Sequence, residues 1–321
     1  MDRQRDFDYR SMRFEYPPCP ICASRRFEPL LDIDRYKMGV ETAGCTHCGL
    51  VMTWPMPVEE DLADFYELYY RHFYQSVDRP DSSYIQRYHK DERAAYTAGF
   101  LQAQGVLTPG SRVLDFGCAE GSLLAALRGQ CEDLKLVGIE PNPDFTQFAR
   151  EFLNAPVFET LATLDANAPS LQFDLILINH VLEHLREPVL FLKNLRERLA
   201  PGGLLFIDVP ALERYESIQS IHLAHLYHFS GRTLEAACAK SGFGVSLLEQ
   251  HDPPHHPPSL RVLVEPNGAY GDAVVVQEGD WHWERIRLLG KTAWRYFLTR
   301  NPVIRMGLYL PRRLLRLFDR G

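Results

Sequence analysis

The sequence predicts an α/β protein: a doubly wound sheet of alternating strands and helices, preceded by a small module built on four cysteines and followed by a helical tail. Three observations carry that expectation. From Ser111 onward, apolar strand-like runs alternate with amphipathic helix-like repeats. Two Cys-x-x-Cys pairs stand near the N-terminus, and basic residues collect in 281–321.

At 321 residues, 45% hydrophobic and 24% charged, the chain can bury a full core with smaller attachments. No apolar run approaches a bilayer span, and the opening "MDRQRDFDYRSMRFEY" is charged where a signal peptide would be apolar, so a cytoplasmic protein is expected. Charge is uneven. Residues 281–321 hold ten Lys/Arg against Glu284 and Asp319, a balance of +8, and the formal total of -7 leaves -15 for the rest.

Residues 1–58 are expected to form a zinc ribbon. Cys19 and Cys22 ("CPIC") and Cys45 and Cys48 ("CTHC") have the two-residue gaps that let both thiolates of a knuckle face one tetrahedral ion. Disulfides fit a reducing cytoplasm poorly. Four sulfurs leave no position for a catalytic water, so the expected Zn2+ is structural. Cys118, Cys131 and Cys238 stand alone and are expected in the core.

Residues 59–105 carry helical spacing in "EEDLADFYELYYRHFY" and "SSYIQRYHKDERAAYTAGFLQAQG", with "VDRPD" as the break, and are expected to be two linking helices. Residues 106–268 hold the sheet. Its strands are expected at "RVLDF", "LKLVGIE", "APVFE", "FDLILIN" and "GGLLFIDVP", closing with "VSLLEQ" and "LRVLVEP". Helices "GSLLAALRGQ", "NPDFTQFAREFL" and "PVLFLKNLRERL" lie between them, a pattern that predicts parallel strands with both faces covered.

In such a sheet the ligand lies at the carboxyl ends of the strands, facing the loop Asp115–Gly121. Asp115 there would repel a dinucleotide's diphosphate. A ligand with an ammonium group and no phosphate reverses the argument, and S-adenosylmethionine (SAM) is one. Gly117 and Gly121 would let backbone approach it. Glu140, ending "LVGIE" nineteen residues after Gly121, is spaced to take both ribose hydroxyls.

With "LDFGCAEG", "GIEPN", "FDLILINHVLEHL" and "LAPGGLLFIDVP" in order, the chain resembles the class I SAM-dependent methyltransferases, whose fold is Rossmann-like, over roughly residues 85–265. The family more often has glycine where Ala119 stands. The resemblance implies SAM as cofactor, held by Asp115, Gly117, Ala119 and Gly121 at the methionine end and by Glu140 at the ribose. Glu159 and Thr160 would flank the adenine, and Asn179 would lie beside the methionine moiety.

Methyl transfer from a sulfonium is an in-line displacement that needs alignment and, for a hydroxyl or carbon acceptor, a base. Two histidine clusters are candidates. In "NHVLEHL" a helix is expected to begin, putting His180, Glu183 and His184 on one face; these could brace the loop, act as a base, or with His228 bind a second metal. In "HLAHLYHFS", His225, Tyr227 and His228, with His222 before them, follow the fifth strand.

A narrower resemblance, carried by the zinc module, "LYHFSGRTL" and "HHPPSLRVLV", is to methyltransferases of sugar and surface-polysaccharide biosynthesis, including nucleotide-sugar C-methyltransferases. It implies His225, Tyr227, His228 and His184 as catalytic candidates and His256, Ser259 and Arg261 as substrate contacts. Pro257 and Pro258 replace the C-methyltransferases' two glycines, and their long C-terminal α/β domain has no counterpart. O-methylation of a saccharide, nucleotide-sugar or lipid-linked glycan is therefore expected.

Two other classes remain: an RNA-modifying methyltransferase that grips RNA with the zinc module, and a non-catalytic scaffold. An acidic body and only Arg25, Arg26, Arg35 and Lys37 as Lys/Arg in 19–48 disfavour RNA, and "NHVL" lacks the proline pair and aromatic that stack on a flipped base in amino-directed DNA and RNA enzymes. The segment 269–321 alternates aromatics and arginines at near-helical spacing. It is expected either to pack on the protein or to lie on an anionic membrane, with oligomeric state left open.

Overall fold

The computed structural model describes residues 7–74, 77, 79–267 and 282–300. Its N-terminal module contains β1 (Phe14–Glu15), β2 (Phe27–Leu31), β3 (Thr42–Cys45), β4 (Val51–Thr53) and β5 (Met56–Pro57). The two cysteine knuckles are built alike. Ala23 N donates to Cys19 O and Gly49 N to Cys45 O, both at 2.9 Å, and Ala23 and Gly49 take positive φ to close the turns.

The segment 59–74 is less regular than expected. Helix Glu59–Phe65 passes through one wide turn, Tyr66–Tyr70, before Arg71–Tyr74. Helices Ser82–Arg87 and Lys90–Ala103 then lead to the main sheet.

That sheet contains β6 (Arg112–Phe116), β7 (Lys135–Ile139), β8 (Val157–Phe158), β9 (Phe173–Asn179) and β10 (Leu199–Pro210). After them, β11 (Tyr227–His228) joins the module's sheet, and β12 (Phe243–His251) and β13 (Ser259–Pro266) complete the main one. Its order is β12-β13-β10-β9-β6-β7-β8. Strands β6 to β10 pair in parallel as expected, but β13 runs antiparallel to both β10 and β12, so the sheet is mixed. The cause is the short connection 252–258, which can only return the chain antiparallel.

Helices cover the sheet. Phe145, Phe173, Phe206 and Phe243 are essentially sealed from solvent, each worth about 1.5–3 kcal/mol of transfer free energy. Cys118, Cys131 and Cys238 are buried as expected. Two helices missing from the sequence reading, Leu161–Asn167 and Gly231–Lys240, both begin in capping boxes, Thr160 with Thr163 and Ser230 with Thr233.

Within the tail, residues 282–300 pack on the protein. In helix Trp283–Arg300, the residues Trp283, Ile286, Leu289 and Ala293 form one buried stripe against Leu30, Leu31, Val51, Tyr215, Ile218 and Ile221. Trp283 Nε1 donates to Gly49 O at 3.3 Å, beside the second knuckle, and its ring fills the space a side chain at Gly44 would need. Trp281, residues 301–321 and the expected boundary at 268/269 lie outside the described residues. Among the described residues no helix is long and apolar enough to cross a membrane.

Candidate functional site

The strands of the parallel run bring polar residues to the same edge, at or within two residues of their carboxyl ends. Asp115 and Phe116 of β6 sit beside Gly138 and Ile139 of β7, so Glu140 follows one strand over, and its backbone N donates to Phe158 O of β8 at 2.9 Å. Asn179 ends β9 and pairs with Asp208 on β10. A cleft of about 100 Å³, open to solvent, lies above this edge. Its lining includes Asp115, Gly117, Ala119, Asn179, Asp208 and Arg93.

The loop Asp115–Gly121 folds as a tight turn into helix Ser122–Gln130. Gly117 N and Cys118 N both donate to Ile139 O, at 2.8 and 2.9 Å. Gly117 has φ 82°, and a Cβ there would come 2.5 Å from Val181 Cγ2. Gly121, outside the cleft lining, answers to packing: a Cβ would meet Leu153 at 2.8 Å. Ala119 adopts φ 48°, the left-handed region that favours the glycine more usual in this motif.

The electrostatics fit a ligand that is cationic at one point and anionic at another. Burial, with Glu120 and Glu140 adding, pushes the Asp115 carboxyl up to about 7. Lys90 Nζ stands 3.8 Å from Glu120, and the Asp115 carboxylate suits a ligand cation such as the ammonium of SAM. Arg93 lines the same cleft. Burial pulls its guanidinium down from the usual range against Glu120 and Asp208, and it makes no hydrogen bond to the described residues, which suits it to a ligand carboxylate.

The other expected cofactor contacts are more distant. Glu140 is buried but outside the cleft lining, and its Oε1 accepts from Asn142 N at 2.9 Å. Glu159 pairs with Arg150 at 2.9 Å, and the Thr160 side chain caps its helix, both at the β8 end of the edge.

The segment after β9 departs from expectation. No helix begins at His180: it takes φ 54°, its N–H donates to Asp208 O at 2.8 Å, and only a single 3-10 turn, Leu182–His184, follows before the helix starts at Pro188. The sheet hydrogen bond holds His180 out of helical geometry. Its ring lines the cleft, with Nε2 3.8 Å from Asp208 Oδ1, and packs at a tilt against His256, ring centres 4.3 Å apart.

His256 belongs to the connection 252–258, which folds back over the cleft. Within it, His255 stacks at 3.7 Å on His89 and reaches Glu92 at 3.0 Å. His256 Nδ1 lies 3.3 Å from Pro257 O; donating there leaves Nε2 as the free lone pair. Burial, with His180 and Arg93 adding, holds this imidazole well below its ordinary value, so it is neutral near pH 7. Ser259 Oγ also bonds Pro257 O, and Arg261 pairs with Glu249, both away from the cleft.

A second cluster lies behind the cleft wall. The buried Glu183 Oε1 is 3.2 Å from His180 Nδ1, 3.9 Å from His184 Nε2 and 4.0 Å from His225 Nε2, and His222 packs on His225 at 3.8 Å. Burial pushes Glu183 up, but His180 and His184 hold it below its usual value overall. His184, His225, Tyr227 and His228 do not line the cleft. His228 Nδ1 meets Tyr215 Oη at 3.1 Å, while Tyr227 points the other way and donates to Arg186 O at 2.7 Å. That division follows from β11, whose successive side chains face opposite sides.

The four cysteines converge. Cys19 and Cys48 sulfurs are 3.4 Å apart and Cys22 and Cys45 3.5 Å, too far for disulfides, and all four lie within 4.8 Å of one another. Such a set of soft donors fits a tetrahedral Zn2+.

Lys90, Arg93, Glu120, Asp208 and His251 were not picked out by sequence. Asp208 carried a signal, an acid near a strand's carboxyl end like Asp115. His251 Nε2 lies 3.0 Å from Asp208 Oδ2, a pairing of β12 with β10 across β13 that spacing does not reveal.

A family model described as a methyltransferase domain matches residues 88–248. A trans-aconitate 2-methyltransferase of Azoarcus sp. (strain BH72) is 32% identical over 131 residues, 40% of this chain and 50% of that protein. A tRNA U34 carboxymethyltransferase of Wolinella succinogenes is 33% identical over 110 residues, 33% of this chain and 39% of that protein. The chain thus spans half or less of these curated relatives. Among solved structures, the DhpI complex with SAH is similar at 18% identity and a TM-score of 0.47, covering 66% of this chain and 100% of that one.

Proposed function

The chain belongs to the methyltransferase-domain family, and from that premise we propose that it transfers a methyl group from SAM to an oxygen of a small polar acceptor, a saccharide or saccharide precursor such as a nucleotide-sugar or lipid-linked glycan. When bound, SAM supplies an electrophilic methyl on a sulfonium. Asp115 holds its ammonium, Arg93 its carboxylate and Glu140 its ribose. Glu159 and Thr160 lie toward the adenine, and Asn179 beside the methionine chain.

One observation carries the acceptor side: His256, neutral and with Nε2 free, stands in the cleft against His180, and Asp208 lines the same cleft. A neutral imidazole there takes the proton from an acceptor hydroxyl as the oxygen attacks, and His180 and Asp208 orient that hydroxyl. The connection 252–258, pinned to Glu92 by His255, lines the acceptor side of the cleft through Pro253 and His256. His184, His225 and His228 support the wall from behind. The Cys19, Cys22, Cys45 and Cys48 module, holding structural Zn2+, braces the same region. Exposed Leu288, Trp294 and Leu298 beside Lys291 support peripheral contact of the tail with an anionic membrane.

An RNA acceptor is the second reading, favoured by the relatives named for a tRNA position and disfavoured by the acidic body. A radiolabelled-methyl assay across nucleotide-sugars, lipid-linked glycans, small carboxylic acids and RNA tests both. Label entering a sugar hydroxyl supports the proposal; label entering only RNA or a carboxylate overturns it.

A further inference from the structure

The cluster behind the cleft wall has donors without partners. Glu183 is buried and its Oε2 has no hydrogen-bond partner among the described residues; neither have His222 Nδ1, His225 Nδ1 and His228 Nε2. Leaving buried polar atoms unpaired costs roughly 1–3 kcal/mol each. Several in one buried place leave lone pairs that water or a bound ion can take up.

The geometry narrows what that is. One atom each from Glu183, His184 and His225 lie within 4.8 Å of one another. His184 is oriented for ligation: its Nδ1 lies 2.7 Å from Ala224 O, which accepts only from N–H, so Nε2 carries the lone pair and points toward Glu183. Tyr66 Oη donates to the same carbonyl at 3.2 Å and lies 3.2 Å from His184 Nδ1, which the Nδ1–H tautomer accommodates. An imidazole locked by its second nitrogen to a backbone carbonyl is the arrangement found behind metal-bound histidines.

We propose that Glu183, His184 and His225 form a binding site for a divalent first-row transition metal ion, distinct from the four-cysteine site. Two imidazoles and one carboxylate suit a borderline ion such as Zn2+, Co2+, Fe2+ or Mn2+ and leave coordination positions for water. The Glu183–His184 and Glu183–His225 separations of 3.9 and 4.0 Å exceed the roughly 3.4 Å expected between tetrahedral ligands with ~2.1 Å bonds, so the side chains draw in by a few tenths of an ångström on binding. An ion here fixes Glu183 and, through its contact with His180, the cleft wall. The site stands on its own donors and does not depend on the acceptor's identity.

The test uses the full chain with its cysteine site loaded with zinc and Co2+ as the probe. Titration should bind one further equivalent of cobalt, with visible ligand-field bands and no thiolate charge-transfer band. His225→Gln and His184→Gln should each weaken that binding at least tenfold, with thermal melting and SAM affinity checking that the variants fold. In the unaltered protein, Co2+ should selectively broaden the imidazole NMR signals of His184 and His225, a readout that needs no variant. No cobalt bound beyond the cysteine site, cobalt bound equally well by both variants, or broadening of other histidines alone would overturn the proposal.

Discussion

His180 Nδ1 and Glu183 Oε1 lie 3.2 Å apart, and that contact is where the cleft meets the buried histidine cluster. His180 has one face in the cleft, against His256 and near Asp208, and one nitrogen on a carboxylate that is sealed from solvent. The wall on the proposed acceptor side is thus held from behind.

The pH dependence of cofactor binding follows from Asp115. Its carboxyl is raised to about 7, so it must lose a proton to meet a cation. SAM affinity should be flat above that pH and weaken as pH falls from 7 toward 5, by up to about tenfold per pH unit. Calorimetry in two buffers of different ionisation enthalpy should detect proton release in that window, and Asp115→Asn should abolish it. Proton uptake, or no pH dependence in the unaltered protein, would contradict the assignment.

Ala119 at φ 48° carries backbone strain that glycine would not. Ala119→Gly should raise unfolding free energy by about 1 kcal/mol, less the entropy glycine adds to the unfolded chain. Urea denaturation checks this, and a clear loss of stability would mean the alanine methyl makes contacts that outweigh the strain.

The cysteine module templates the segment that carries the second cluster. Thr53 N donates to Leu226 O at 2.9 Å, and Val51 and Met52 pair with His228 and Tyr227. Cys45→Ser should release about one zinc per chain and raise hydrogen exchange at the β11 amides, with the SAM cleft still competent. Unchanged protection of β11 after zinc loss would show that the core alone holds it.

His256 is the proposed proton acceptor. Once an acceptor is in hand, His256→Ala should lower turnover by about two to four orders of magnitude and leave SAM affinity intact. Near-normal turnover would return the role to His180, or to alignment without a base.

Much of this was legible in the sequence because it is local. The knuckles around Cys19 and Cys45 depend on two-residue gaps, and Asp115, Glu140 and Asn179 reach one edge because each closes an apolar strand. The rest depends on contacts between distant segments. Arg93 comes to the cleft from a helix before the sheet, and His184 meets His225 across a turn whose shape the periodicity of "NHVLEHL" misstates. The reversal at 252–258, which turns β13 antiparallel and lays His256 over the cleft, is written in two proline pairs whose path no spacing rule gives.

The central claim is that the cleft at Asp115 holds SAM. Calorimetric titration of SAM into the full chain, Asp115→Ala and Glu140→Ala tests it most directly. The account predicts stoichiometric binding to the unaltered protein and a loss of about 1–3 kcal/mol in each variant, with thermal unfolding still cooperative. No SAM binding to the unaltered protein, or equal affinity in all three, would contradict it.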